Sequence, residues 1–315
     1  MKNNFFIVFI FLLISNINAS ELFKPLEKNK AYNKKIINLG RELFFDTMLS
    51  KNNDISCNSC HNKYGADNVQ YSKGDKKLVG MINTPSLFNL NHNIAYFWNG
   101  RSETLKEQLL DGPIFNKHEM ANDKHTIEER LKNSKKYHNL FKEAYNESPS
   151  FEKLVDALVE YEKTLLTLDS KFDKFLRDEA QLNKAEKNGM KLFISYGCVS
   201  CHNGINIGGN SYQKFGAVIN YEDNQEVWID RFSFTKNEQD KNIFRVPSLR
   251  NIAKTAPYFH DGSVSTLKEA IYTMGYYNTG AILNDNEILE IESFLKTLTG
   301  DLPETYAKGI IDEKD

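Results

Sequence analysis

At 315 residues the chain has room for two domains by the usual prior of roughly 150 residues each. With 40% hydrophobic and 26% charged residues, its composition excludes both a disordered chain and a multi-span membrane protein. The 40 Lys and Arg against 42 Asp and Glu leave a net charge of −2, so the basic excess that marks a nucleic-acid binder is missing.

The predicted elements begin with an export signal over residues 1–19: Lys2, an unbroken apolar run from Phe5 to Ile14, and Ile17-Asn18-Ala19 as a cleavage site before Ser20. That run is too short to span a bilayer, and no other segment approaches the ~18 apolar residues a span requires. The expectation is an exported protein without stable membrane insertion. From Lys34 to Phe45, apolar Ile36, Ile37, Leu39, Leu43 and Phe44 predict an amphipathic helix. A helix over Glu103–Leu110 follows, then a long one whose stripe is Phe151, Leu154, Val155, Leu158, Val159, Leu165 and Leu166. The polar stretch Asp169–Gln181 reads as the linker. Asn183 with Glu186 forms a capping pair that opens a helix through Met190, Leu192, Phe193 and Ile194. Short strands are expected within Asn210–Asn220 and Val227–Phe234. A helix over Thr266–Met274 comes next, then a last one capped by Asn284 and Glu287, with Ile288, Leu289, Ile291, Phe294, Leu295 and Leu298 inward.

All four cysteines fall in two identical frames, Cys57-Asn58-Ser59-Cys60-His61 and Cys198-Val199-Ser200-Cys201-His202. Cys-x-x-Cys-His is the attachment signature of c-type haem, in which both thiols become thioethers and the adjacent His binds the iron. A zinc ribbon would place its second pair about 15–20 residues after the first, and a redox dithiol needs no following His. Two covalently bound haem c groups are therefore expected, each turn delivered by a helix. The fold class is mainly α, with two cytochrome c-like haem domains in tandem over residues 20–168 and 169–315.

Further segments carry a family likeness. Leu39-Gly40-Arg41-Glu42-Leu43-Phe44-Phe45-Asp46, Ile55-Ser56 with the first haem frame, Phe97-Trp98-Asn99-Gly100-Arg101, Gly197 with the second frame and Asn203-Gly204, and Ala256-Pro257-Tyr258-Phe259-His260-Asp261-Gly262 resemble, in order, the bacterial di-haem cytochrome c peroxidase family. The likeness runs from about residue 36 to 300. It implies that the N-terminal haem is the low-potential peroxidatic centre and the C-terminal one the high-potential electron store. His61 and His202 would be the proximal ligands, and Met274 the distal ligand of the C-terminal haem. A thioether there fits chemically, because it raises the potential. Tyr272, Tyr276 and Tyr277 keep a rival alive, since the related methylamine-utilisation enzyme uses a tyrosine ligand.

The resemblance also implies Glu119 as the proton shuttle, Gln108 as its polar neighbour and Trp98 as an aide to electron passage between the haems. His118 and His125 stand as alternative bases. Asn83, Thr255 and Pro257 match positions whose oxygens bind a calcium ion near the interface of the halves, and hard oxygen donors suit Ca2+. One position departs from the family. Asp75 stands where many members carry a His that caps the N-terminal iron, and the segment from Asn62 to Asn91 holds no His. The site is then open at rest, or Met81 or one of Lys73, Lys76 and Lys77 caps it. The implied activity is reduction of hydrogen peroxide in the periplasm by a homodimer, with electrons from a small cytochrome c or similar donor. The alternatives are a di-haem oxidase of a protein or organic substrate and a non-catalytic electron carrier.

Overall fold

The computed structural model describes residues 19–27, 32–221 and 229–306. Apart from Ala19, the export signal read at residues 1–19 lies outside the described residues.

The helices of the first half are α1 (Ala19–Leu22), α2 (Lys34–Phe45), α3 (Cys57–Cys60), α4 (Leu105–Asp111), α5 (Lys124–Asn133), α6 (Lys135–Tyr145) and α7 (Phe151–Glu162). Those of the second are α8 (Lys171–Leu176), α9 (Lys184–Ser195), α10 (Phe232–Thr235), α11 (Leu267–Met274) and α12 (Asp285–Lys296). Local chemistry sets most starts. Thr104 and Glu107 form a capping box on α4, Asn183 and Glu186 on α9, and Asn284 and Glu287 on α12. The expected long helix ends at Glu162, so Leu165 and Leu166 are buried in the turn beyond it.

Two expectations need correction. The stretch read as a linker holds α8: Ser170 caps it, Phe172 and Asp173 are buried, and Phe172 meets Phe294 edge-on at 5.2 Å. The strands are β1 (Tyr212–Lys214), inside the expected segment, and β2 (Ile243–Arg245), which pairs with it antiparallel. The second strand is therefore not in Val227–Phe234, where residues 232–235 are helical and 227–228 lie outside the described residues.

Each haem frame follows a helix packed closely on another. Gly40 of α2 faces the Ala157 carbonyl and the Tyr161 side chain of α7, and Gly189 of α9 faces the Glu290 carbonyl of α12; a Cβ at either glycine would collide. Two cores result. One gathers α2, α4, α5, α6 and α7; the other gathers α8, α9, α11 and α12. The chain ends exchange sides. Phe23 is buried in the second core and Tyr306 in the first. Arg250 and Asp173, an ion pair at 2.9 Å with both side chains buried, clamp the N-terminal arm: Asp173 accepts from the Leu26 amide and Arg250 donates to the Lys24 carbonyl.

The segments that follow the two frames repeat each other with a constant offset. Asn89 and Asn251 have φ of 63° and 62°, Phe97 and Phe259 63° and 69°, and Gly100 and Gly262 69° and 59°. Bridges join Tyr96 to Ser102 and Tyr258 to Val264, and Thr104 and Thr266 cap α4 and α11. Every pair differs by 162 positions (251 − 89, 259 − 97, 262 − 100, 266 − 104). The same offset carries Met274 onto Gly112 (274 − 112 = 162), just past the end of α4.

Candidate active site

At the first frame, one turn of helix presents Cys57 and Cys60, and Ser56 and Ser59 close a capping box at its start. His61 follows, with its Nδ1–H donating to the Gly65 carbonyl at 2.8 Å. That bond commits Nδ1 and leaves Nε2 as the lone pair for a metal. Burial lowers the pKa of His61, so the ring is held neutral, as ligation requires. The buried Tyr306 hydroxyl donates to the His61 carbonyl and fixes the end of the turn.

The second frame is a single 3-10 turn, Cys198–Ser200, entered through Gly197 at φ 79°. Burial pushes His202 down to about 4, with the Ile207 and Pro247 carbonyls opposing the shift. The ring rests against Gly208, whose φ of 123° and close approach to the Pro247 carbonyl leave no space for a side chain. None of the four cysteines is in a disulfide. Burial raises Cys57, and it raises Cys60 and Cys198 to about 11 each. Such sites favour uncharged sulfur, and a thioether is uncharged sulfur. Two thiols one turn apart and a neutral, half-buried His suit covalent haem at both frames.

Glu119 meets the first frame. Its carboxylate accepts from Asn116 Nδ2 at 2.7 Å, and burial raises its pKa against that bond and the charges of Arg101 and His118. It lies near enough to add its charge to the other influences on both Cys57 and Cys60. Gln108 is half-buried on α4, one turn before Gly112. Of the alternative bases, His118 has a buried Nδ1 without a hydrogen-bond partner, whereas His125 is largely exposed and pairs with Glu129 at 3.4 Å. Met81 is 48% exposed, and Lys73, Lys76 and Lys77 are also at the surface.

Sequence reasoning passed over Glu162 and Gly112. Glu162 ends α7 buried, with Oε2 unpartnered and its pKa raised by burial to about 8, close enough to Cys57 to raise that thiol. It stands among Glu160, Lys163 and Thr164 at the end of the helix, where an acid looks solvated and only the tertiary fold reveals its depth. Gly112 needed the 162-residue offset, which repeated residues such as Asn89 and Asn251, Phe97 and Phe259, and Thr104 and Thr266 carry in the sequence as well as in the backbone.

Between the halves, Trp98 donates its indole N–H to the Asn83 carbonyl at 2.9 Å, and its own carbonyl accepts from the Arg245 amide at 2.8 Å. The Asn83 amide donates to the His260 carbonyl at 2.7 Å, and Asn68 donates to the carbonyls of Lys254 and Ala256 at 3.0 and 2.8 Å. These bonds tie Asn83 to His260, and Asn68 to the residues either side of Thr255. Met274 closes α11, which packs on α12, the partner of the helix that delivers the second frame.

A mainly helical chain with two haem-attachment frames, a carboxyl near the first and a methionine-ended helix in the second half has the makeup of a two-haem cytochrome. Comparison with known proteins makes the class specific. Residues 34–181 match the di-haem cytochrome c peroxidase family model and residues 186–299 the cytochrome c model. The chain is 43% identical to cytochrome c551 peroxidase of Nitrosomonas europaea, covering 91% of this chain and 86% of that one. It is 40% identical to the cytochrome c551 peroxidase of Pseudomonas aeruginosa, over 90% and 86% of the two chains. Among solved structures, a MauG-like protein associated with microbial copper homeostasis superposes with a TM-score of 0.78 at 28% identity, covering 88% of this chain and 93% of that one. The chain belongs to the di-haem cytochrome c peroxidase family. It is an enzyme of the cytochrome c peroxidase class, carrying two haem groups.

Proposed function

We propose that this enzyme reduces hydrogen peroxide to two waters in the periplasm, drawing electrons one at a time from a small cytochrome c or similar donor. The observation that carries the reading is Glu119, a carboxyl of raised pKa beside the thiols of the first frame. Cys57, Cys60 and His61 would hold the haem that would supply the redox chemistry for breaking the peroxide bond. Glu119 takes the proton from the near oxygen of the bound peroxide and returns it to the departing one, the work of a general acid and base. Its bond from Asn116 fixes the carboxylate, and Gln108 offers an amide to orient the peroxide. Cys198, Cys201 and His202, with Met274, would hold the second haem, which would supply a store for the donor's electrons. Trp98, hydrogen-bonded to both halves, lies on their way to the first frame.

Gly112 supports this division of labour. Where the second half ends its helix in a ligand-bearing side chain, the first half has none, so nothing from that position fills the peroxide site. Asn83, Thr255 and Pro257 offer hard oxygens where the halves meet, a donor set suited to one Ca2+. We take residues 20–168 and 169–315 as the two haem units, with their ends exchanged, and a homodimer as the working form. No helix among the described residues is long and apolar enough to cross a membrane, in keeping with that location.

Steady-state peroxide consumption with a reduced small cytochrome c tests the reading. Two donor molecules oxidised per peroxide is the expected stoichiometry; a two-haem protein that leaves peroxide untouched would refute it and leave an electron carrier.

A further inference from the structure

Aromatic rings run in unbroken contact from the middle of the molecule to its surface. Trp98 meets His260 at 6.4 Å between centroids, His260 meets Phe215 at 6.1 Å, and Phe215 meets Tyr221 at 4.3 Å. Tyr221 meets Tyr277 edge-on at 4.9 Å, Tyr277 meets Tyr276 at 5.0 Å, and Tyr276 stacks on Tyr272 at 6.2 Å with the planes 9° apart. All these separations lie within the span of ring pairs in direct contact. The last ring, Tyr272, is 44% exposed.

Backbone bonds hold the outer part of this path in place. The amides of Val218 and Ile219 both donate to the Tyr277 carbonyl, at 3.1 and 3.0 Å. Asn278 accepts from the Gly216 amide and donates to the Lys214 carbonyl, at 3.0 Å each. Residues Gly275–Thr279 wind as a π-turn, a rare form found mostly at functional sites, and this turn sets Tyr276 and Tyr277 in contact with rings on either side. Phenyl and imidazole rings are hard to oxidise, so Phe215 and His260 serve as a bridge. The four tyrosines from Tyr221 outward are each able to lose an electron.

We propose that Tyr221, Tyr277, Tyr276 and Tyr272 form an exit for oxidising equivalents, by which the enzyme, when its cytochrome donor is exhausted, oxidises Tyr272 at the surface and through it a soluble phenol. This rests on the peroxidase reading, since peroxide is the oxidant. The balance is H2O2 + 2 TyrOH → 2 H2O + 2 TyrO•: the O–O bond breaks, each tyrosine gives up one electron and its phenolic proton, and the two protons complete the waters. A phenol ArOH then returns a hydrogen atom to each TyrO•, leaving ArO•. The path spares the interior, because the oxidised site ends up where a reductant can reach it.

The test uses the two-haem protein, excess hydrogen peroxide, no cytochrome donor and a nitroso spin trap, followed by peptide mass spectrometry. The trap adduct is expected on Tyr272. Tyr277→Phe keeps the ring packing but removes the oxidisable group at mid-path. The Tyr272 adduct should be lost there, while donor-supported peroxide turnover stays at its wild-type rate. Tyr276→Phe repeats the break one ring further out, should Tyr277→Phe fail to fold with both haems. Adduct on Tyr272 that survives both substitutions, or wild-type adduct confined to tyrosines off this path, overturns the exit. Normal donor-supported turnover with no adduct at Tyr272 also overturns it but leaves the peroxidase reading standing; absence of turnover as well removes both.

Discussion

Around the first haem frame, burial raises the thiols of Cys57 and Cys60, and Glu162, Asp67 and Glu119 add their charges to it. Around the second, the Cys198 thiol is raised by burial and by Cys201, with no carboxylate contributing. The same attachment chemistry is thus set beside acids at the first frame, while no acid acts on the Cys198 thiol at the second. Peroxide cleavage moves protons and electron storage need not, which is the division of labour proposed above. The offset pairing of Gly112 with Met274 adds a contrast from the backbone: one helix ends at a glycine packed against the Phe97 ring and the other in a thioether side chain.

The sharpest way to break the second half alone is through its clamp. Arg250→Met would leave Asp173 buried without its cation, and losing one partner of a buried pair typically costs about 3–5 kcal/mol. Urea unfolding should show that loss. A change within error would mean that the Leu26 amide and Ser170 satisfy Asp173 unaided.

The acid lining of the first half should show in its pH dependence. Glu162 holds its proton more tightly folded, at a pKa of about 8, than at the ordinary 4.5. Its contribution to stability is therefore complete at acid pH and is lost as pH rises from 4.5 toward 8. Glu162→Gln should remove that loss, so its melting temperature should gain on the wild type across this interval, by an amount equivalent to a few kcal/mol at most. Parallel melting curves would place the titrating group elsewhere.

Glu119→Gln keeps the hydrogen-bonding shape but removes the proton site, so peroxide cleavage should slow by about 10²-fold or more. Both haem potentials should hold. Near-normal turnover would pass the role to His118, whose Nδ1 is buried without a partner.

Much of this was legible from residues alone. Capping pairs such as Asn183 with Glu186 and Asn284 with Glu287 act locally, so those helices could be placed from sequence. The haem frames are local too. What escaped depends on distant partners. The stretch around Ser170 and Asp173 is polar because it caps α8 and clamps Arg250, and a polar stretch read alone looks like a linker. Strand Ile243–Arg245 is three residues long, too short for any period to show. Glu119 was found only through the family likeness, since an acid in a polar segment is ordinarily solvated.

The finest difference between the halves is whether the first is closed at rest, and the loop carrying Asp75 decides it. Lys73 bridges to Val79, the Gly74 amide donates to the Leu78 carbonyl at 2.8 Å, and Lys76 and Lys77 turn the chain with φ of 52° and 60°. Gly74 lies so close to the His118–Glu119 peptide that a Cβ would collide, which seats the loop beside Glu119. A His in this loop could bind iron, whereas an Asp is a hard oxygen donor and a weak competitor for the role. The ferric protein should therefore show a high-spin N-terminal haem in electron paramagnetic resonance and react with peroxide without prior reduction. Asp75→His should move that haem toward low spin and introduce a lag that prior reduction abolishes, with turnover of the reduced enzyme unchanged. Two low-spin haems in the unaltered protein would mean that Met81 or one of Lys73, Lys76 and Lys77 swings inward from the surface, and the two halves would then be equally closed at rest.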